Sequence, residues 1–118
     1  KEYLLKNPPK RKITKQHIKE KDKVDLERLL PHWKGFTATK YLTFHIRRKL
    51  QVLNYFNKGE YIYDFDKCFN NLKFSKEMSE DLRNLIEFYK SRKLFSKKEI
   101  NYFVKLSYDL TKKIEREI

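Results

Sequence analysis

The run Thr37-Ala38-Thr39-Lys40-Tyr41-Leu42-Thr43-Phe44-His45-Ile46-Arg47-Arg48-Lys49-Leu50-Gln51-Val52-Leu53-Asn54-Tyr55-Phe56-Asn57-Lys58-Gly59 decides the fold. Leu42, Ile46, Leu50, Leu53 and Phe56 recur at spacings of 4, 4, 3 and 3, the stripe by which a long helix faces a core. Thr37 offers a capping hydroxyl at its start, and Lys58-Gly59 closes it. Lys40, Arg47, Arg48, Lys49 and Lys58 lie largely off the stripe, and no acid occurs between Thr37 and Lys58. A solvated helix ordinarily mixes both signs to gain pairs four residues apart. This one does not, which marks its polar face for an anionic partner.

Downstream, Ile62, Phe65, Phe69 and Leu72 predict a shorter helix over 60–72. Met78, Leu82, Leu85, Ile86 and Tyr89 predict another after Ser75. Ser96-Lys97-Lys98-Glu99 is a capping box, with Phe95 and Ile100 as its hydrophobic staple, and Phe103, Leu110 and Ile114 continue the buried face. Upstream, Val24, Leu26, Leu29 and Leu30 give a short helix stopped at Pro31, followed by the connector His32-Trp33-Lys34-Gly35-Phe36. Lys1 to Lys12, with Asn7-Pro8-Pro9-Lys10-Arg11-Lys12, reads as a basic arm. No segment alternates with period 2, and 2 Gly and 3 Pro are few for a chain of tight turns. The expected fold is all-α, a small bundle of four to five helices. A partly extended basic arm over 1–23 precedes a basic helical core over 24–74 and a C-terminal helical hairpin over 75–118.

The charge is lopsided. Residues 1–58 hold 16 Lys/Arg against 5 Asp/Glu, and residues 59–118 hold 13 against 11, so almost all of the formal +13 lies in the first half. A one-sided excess makes a directed field that attracts a polyanion, and a phosphate backbone is the commonest one. A genome rich in A and T would inflate lysine, but it would not distribute the acids unevenly. Cys68 is the single cysteine, which excludes an internal disulfide and fits a reducing, intracellular location. No apolar run approaches the ~20 residues that cross a bilayer, so no membrane partner is expected. A start at Lys1 fits a processed form, a fragment or a chain that has lost a targeting peptide alike.

Catalysis finds no support among the motifs. His17, His32 and His45 fall in different elements without a Cys, His or acid at metal-ligand spacing, and Gly35 and Gly59 are too few for a phosphate loop. Asp64 and Asp66 lie two apart and diverge on a helix. No catalytic residue, metal or cofactor is expected. The usable signal is basic residues beside aromatic ones. His32, Trp33, Lys34, Phe36 and Lys40 gather around one connector, where Trp33 either stacks on a base or closes the helix pair. Arg47, Arg48 and Lys49 read as phosphate contacts, with Lys58 beyond them, and Lys10, Arg11 and Lys12 as either backbone contacts or a localisation signal.

The order of features from Leu29 to Phe74 resembles the bacterial-type ribosomal small-subunit protein fifteen family. Leu29-Leu30-Pro31-His32-Trp33-Lys34 is similar to the approach of that family's connector, and Leu42, Ile46 and Arg47 to the helix that follows. Val52-Leu53-Asn54-Tyr55-Phe56-Asn57-Lys58-Gly59-Glu60 resembles the helix end, and Phe65, Cys68, Phe69, Leu72, Lys73 and Phe74 the final short helix after one inserted residue. Carried across, the family's RNA-contacting connector keeps His32 and Lys34. Its Asp falls at Gly35 and its Ser at Ala38, so two polar minor-groove contacts are lost, and two further helices follow Ser75. The resemblance implies a divergent, organellar member, such as a mitochondrial one, that binds ribosomal RNA.

The expectation is therefore a non-enzymatic RNA-binding subunit of a ribonucleoprotein, a small ribosomal subunit foremost. Lys34, Lys40, Arg47, Arg48 and Lys49 would hold phosphates, and His32 and Trp33 would sit against a groove or an unstacked base. The arm would order along RNA, and residues 75–118 would face neighbouring proteins. Two other classes stay open: a helical DNA-binding accessory domain of a phage, plasmid or defence system, and a protein-interaction module. Thr37-Ala38-Thr39-Lys40 brings few base readers to the first turn of a recognition helix, which favours backbone recognition.

Overall fold

A computed structural model describes residues 14–117, and it is all-α, with no strand among those residues. Helix α1 begins as an α-helix over Lys15–Asp22, widens into a π-helix over Lys23–Leu29, and closes as a 3-10 turn over Leu30–His32. Helix α2 spans Gly35–Lys58, α3 Phe65–Asn70, α4 Lys76–Ser91 and α5 Lys97–Glu117. No helix among the described residues is long and apolar enough to cross a membrane.

The central helix organises the rest. At ~1.5 Å per residue, 24 residues span ~36 Å, and the longest dimension of the molecule is 36 Å. Ala38, Leu42, Ile46, Leu50 and Leu53 of α2 are wholly buried. Helix α5 brings Phe103, Leu106, Leu110 and Ile114 to them, α4 adds Leu82 and Leu85, and α3 adds Phe65 and Cys68. Burial on this scale contributes roughly 1.5–3 kcal/mol per large apolar side chain. Within residues 75–118, α4 and α5 pack on each other, and α5 also lies along α2 and shares its core.

Several boundaries depart from the expected ones. Residues 15–23, the end of the partly extended arm, are helical; Thr14 caps them by accepting from His17 N, and Ile18 and Asp22 are buried. Leu26 of the π segment and Leu30 of the 3-10 turn are buried, while Val24 and Leu29 remain exposed. Asp22, Leu26 and Leu30, spaced four apart across the α, π and 3-10 parts of α1, are all buried. Helix α2 starts at Gly35, two residues before Thr37, with Lys34 as its extended cap residue. Gly59 ends it in the left-handed region at φ 73°, donating its N–H to Tyr55 O.

The helix expected over 60–72 shortens to α3. Residues 59–64 run irregularly along α2, and Asp64 caps α3 by accepting from Lys67 N at 2.9 Å. Three contacts hold this segment down. Gln51 donates to Tyr63 O at 3.4 Å, the Cys68 thiol donates to Ile62 O at 3.0 Å, and Tyr61 stacks on Tyr55 at 5.1 Å. Burial and the Asp64 charge push the Cys68 thiol up to about 12. The Ser96 capping box forms as read: Ser96 N donates to Glu99 Oε1 at 2.9 Å, and Glu99 N to Ser96 Oγ at 3.2 Å. Phe95 of the staple packs with Phe88 and Phe103 in an aromatic cluster.

Candidate nucleic-acid interface

Helix α2 carries two rows of functional side chains beside its buried stripe. Phe36, Lys40, Phe44, Arg47 and Gln51 fall at intervals of three or four, and Tyr41, Arg48, Val52 and Tyr55 form the adjoining row. Phe36 and Phe44 are exposed, and the Arg47 guanidinium lies over the rings of Phe44, at 4.8 Å, and Tyr63, at 5.2 Å. Lys40 Nζ also stands over the Phe44 ring, 5.5 Å from its centroid. Trp33 is 40% exposed and stacks on Tyr41 at 5.6 Å and 18°. It belongs to the aromatic surface, not to the core as one of its two readings had it.

Lys34, Lys40, Arg48 and Lys58 are exposed and Arg47 is half-buried, and none of the five pairs with a carboxylate among the described residues. His32 is exposed at the end of the 3-10 turn. These positions share α2 and its N-terminal approach. Lys10, Arg11 and Lys12 lie outside the described residues.

Lys49 is a correction. It is 6% exposed, and its ammonium donates to Asp22 Oδ1 at 2.5 Å, to Ser107 O at 2.8 Å and to Thr111 Oγ1. All three of its donors are used inside the protein, so no phosphate can reach it. Burial draws the Lys49 ammonium below its ordinary value, and attraction to Asp22 and Asp25 opposes that.

The same network takes in His45, which the motif search passed over. Its Nε2 meets Asp22 Oδ1 at 3.2 Å and its Nδ1 meets Asp25 Oδ2 at 3.0 Å. A carboxylate only accepts, so this geometry is fully satisfied when both ring nitrogens carry protons. Thr111 donates to Asp22 Oδ2 at 2.5 Å, and Lys21 reaches Asp25 Oδ2 from the surface at 3.3 Å. Burial works to raise the Asp22 carboxyl, but His45, Lys49 and Thr111 together hold it below its ordinary range.

This cluster ties α1, α2 and α5 together. Both His45 nitrogens and all the Lys49 protons have partners within the protein. Among the described residues no three His, Cys, Asp or Glu side chains form a group that could hold a metal. The cluster has an electrostatic consequence as well. Asp22 and Asp25 are two of the five acids in the first half, and both turn inward. The outer face of α2 is left to its cations and rings.

Sequence reasoning missed the network because an acid in the core register of a basic helix looks like a solvated residue. The available signal was Asp22 four residues from Ile18 and from Leu26, on the apolar line of α1. A hollow of about 580 Å³ lies beside His45, walled by α1, α2 and the 61–63 strip. Comparison with protein-family models, with curated protein sequences and with solved structures gives no match.

Proposed function

We propose that this protein binds structured RNA through the outer face of α2, as a non-catalytic subunit of a ribonucleoprotein. One observation carries the reading: Lys40, Arg47 and Arg48 stand among exposed rings without carboxylate partners, while Asp22 and Asp25 are folded into the interior. Cations without compensating acids contact phosphates, and rings interleaved with them offer stacking to unpaired bases. Backbone contacts of this type position RNA without reading its sequence. A place in a small ribosomal subunit, organellar by the family resemblance, is the narrower form of the proposal, with α4 and the outer side of α5 toward neighbouring proteins.

The test is a salt titration of the full chain on duplex RNA. Five cations, Lys34, Lys40, Arg47, Arg48 and Lys58, give a log–log slope of at least about −3.5, at roughly −0.7 to −0.9 per contact. Arg48→Ala should flatten that slope by about 0.7–0.9 and weaken all duplexes alike, with thermal stability unchanged. A slope near zero refutes the proposal. Equal binding of a DNA duplex of the same sequence refutes its RNA form in favour of a DNA-binding module.

A further inference from the structure

The hollow of about 580 Å³ is larger than any groove a phosphate contact needs, and its walls are unlike the rest of the face. Tyr41 and Phe44 come from α2, Tyr61 and Tyr63 from the strip that follows Gly59, and Arg47 and Arg48 from the adjacent turns of α2. The strip is fixed by the Tyr55–Tyr61 stack and by the thiol bond from Cys68 to Ile62 O, so this wall is built before any ligand arrives. A second observation comes from the inner end. Asp25 lines the hollow and is 4% exposed; His45 and Lys21 meet its Oδ2, and the Tyr41 hydroxyl hydrogen-bonds to its carboxylate from the wall of the hollow. A carboxylate offers about four acceptor sites, so one remains for a donor supplied by a ligand.

We propose that this hollow receives one unstacked, amino-bearing nucleotide of a bound RNA, its base between the tyrosine walls, its phosphate on Arg47 or Arg48, and its amino group toward Asp25. The inference rests on the RNA-binding reading. Each part of the nucleotide has a counterpart. The base needs flat apolar walls, which Tyr41 and Tyr61 supply. The phosphate needs guanidinium groups not already spent on carboxylates, and neither arginine pairs with an acid among the described residues. An acceptor at the inner end favours adenine, cytosine or guanine, which carry exocyclic amino groups, over uracil, which carries none. The volume falls within the ~300–1,000 Å³ of sites that enclose small ligands.

The experiment uses the full chain and a hairpin duplex carrying one unpaired 2-aminopurine, whose fluorescence reports stacking. The same hairpin is made fully paired and with an unpaired uridine, and adenosine monophosphate serves as the free nucleotide. The unpaired 2-aminopurine hairpin should bind about tenfold tighter than the paired one, with quenched fluorescence, and the uridine hairpin should lose most of that gain. Tyr61→Ala should abolish the gain while paired-duplex binding stays as it was, and Tyr61→Phe should restore it. The comparison among hairpins needs no variant, so it stands even if Tyr61→Ala fails to fold. Equal binding of paired and unpaired hairpins, with the salt slope intact, overturns the nucleotide site and leaves the RNA reading standing. Equal binding of uridine and 2-aminopurine overturns the role of Asp25. Saturable, quenching-competitive binding of adenosine monophosphate with no RNA binding supports a nucleotide site and refutes the RNA reading.

Discussion

Replacing Lys49 with methionine keeps the unbranched stem and removes the ammonium. In the native chain that ammonium satisfies Asp22 Oδ1, Ser107 O and Thr111 Oγ1, and the Lys49 and Asp22 side chains are only 8% and 4% exposed. Breaking a pair this buried costs about 3–5 kcal/mol, because the remaining charge stays desolvated. Here His45 and Thr111 still donate to Asp22, so about 3 kcal/mol is the expected loss. At roughly 4 °C per kcal/mol for a domain of this size, the melting temperature should fall by about 12 °C. Lys49→Met combined with Asp22→Asn should lose less than the sum of the two single losses, since they dismantle one interaction. RNA binding of the folded variant should keep its salt slope, although the protein has lost one formal positive charge. Calorimetry and a salt titration on one preparation decide the matter. A variant that melts within about 1 kcal/mol of the parent and loses a full contact from its slope would show that Lys49 reaches RNA, and the network would then be misread.

Three further outcomes are expected. Asp22 sits below its ordinary pKa of 3.8, so its contribution is complete above that value and is lost as pH falls through the depressed folded value; acid melting monitored by circular dichroism should be shallower in Asp22→Asn. Ser96→Ala removes the hydroxyl that receives Glu99 N and should cost about 1 kcal/mol in urea denaturation with RNA affinity unchanged. Arg92 ends α4 in the left-handed region at φ 56°, so Arg92→Gly should gain about 1 kcal/mol in the same assay.

The parts of the fold written locally were legible. The α2 stripe is a matter of spacing within one helix, and the Ser96 box lies within four residues, so both could be read directly. The strip over 60–64 misled because Ile62, Phe65, Phe69 and Leu72 keep a helical interval although Ile62 precedes the helix. Asp64 was the true start signal, and it had been weighed only as one of two carboxylates that diverge on a helix. The exposure of Lys40, Arg48 and Lys58 on α2 was legible from their distance to the stripe. Lys49 was not, since it sits on the shoulder of the stripe and its partners are Asp22, on a different helix, and Thr111, 62 residues away. Nothing local distinguishes it from Arg48 beside it. The hollow was equally hidden, because it exists only where residues 61–63 return across α2.

The hydrogen bond from Thr111 to Asp22 joins residues 89 apart, and the one from Tyr108 to Glu27 joins residues 81 apart. Closing a chain over such a length costs about 4 kcal/mol in loop entropy before any contact offsets it. During synthesis α1 emerges before α5, so the polar seam between them completes only once α5 has been made. Until then the acids of α1 lack two of their donors, and the basic face of α2 stands on an unfinished scaffold. The earlier helix is seated by a later one: α5 supplies the donors that hold the acids of α1.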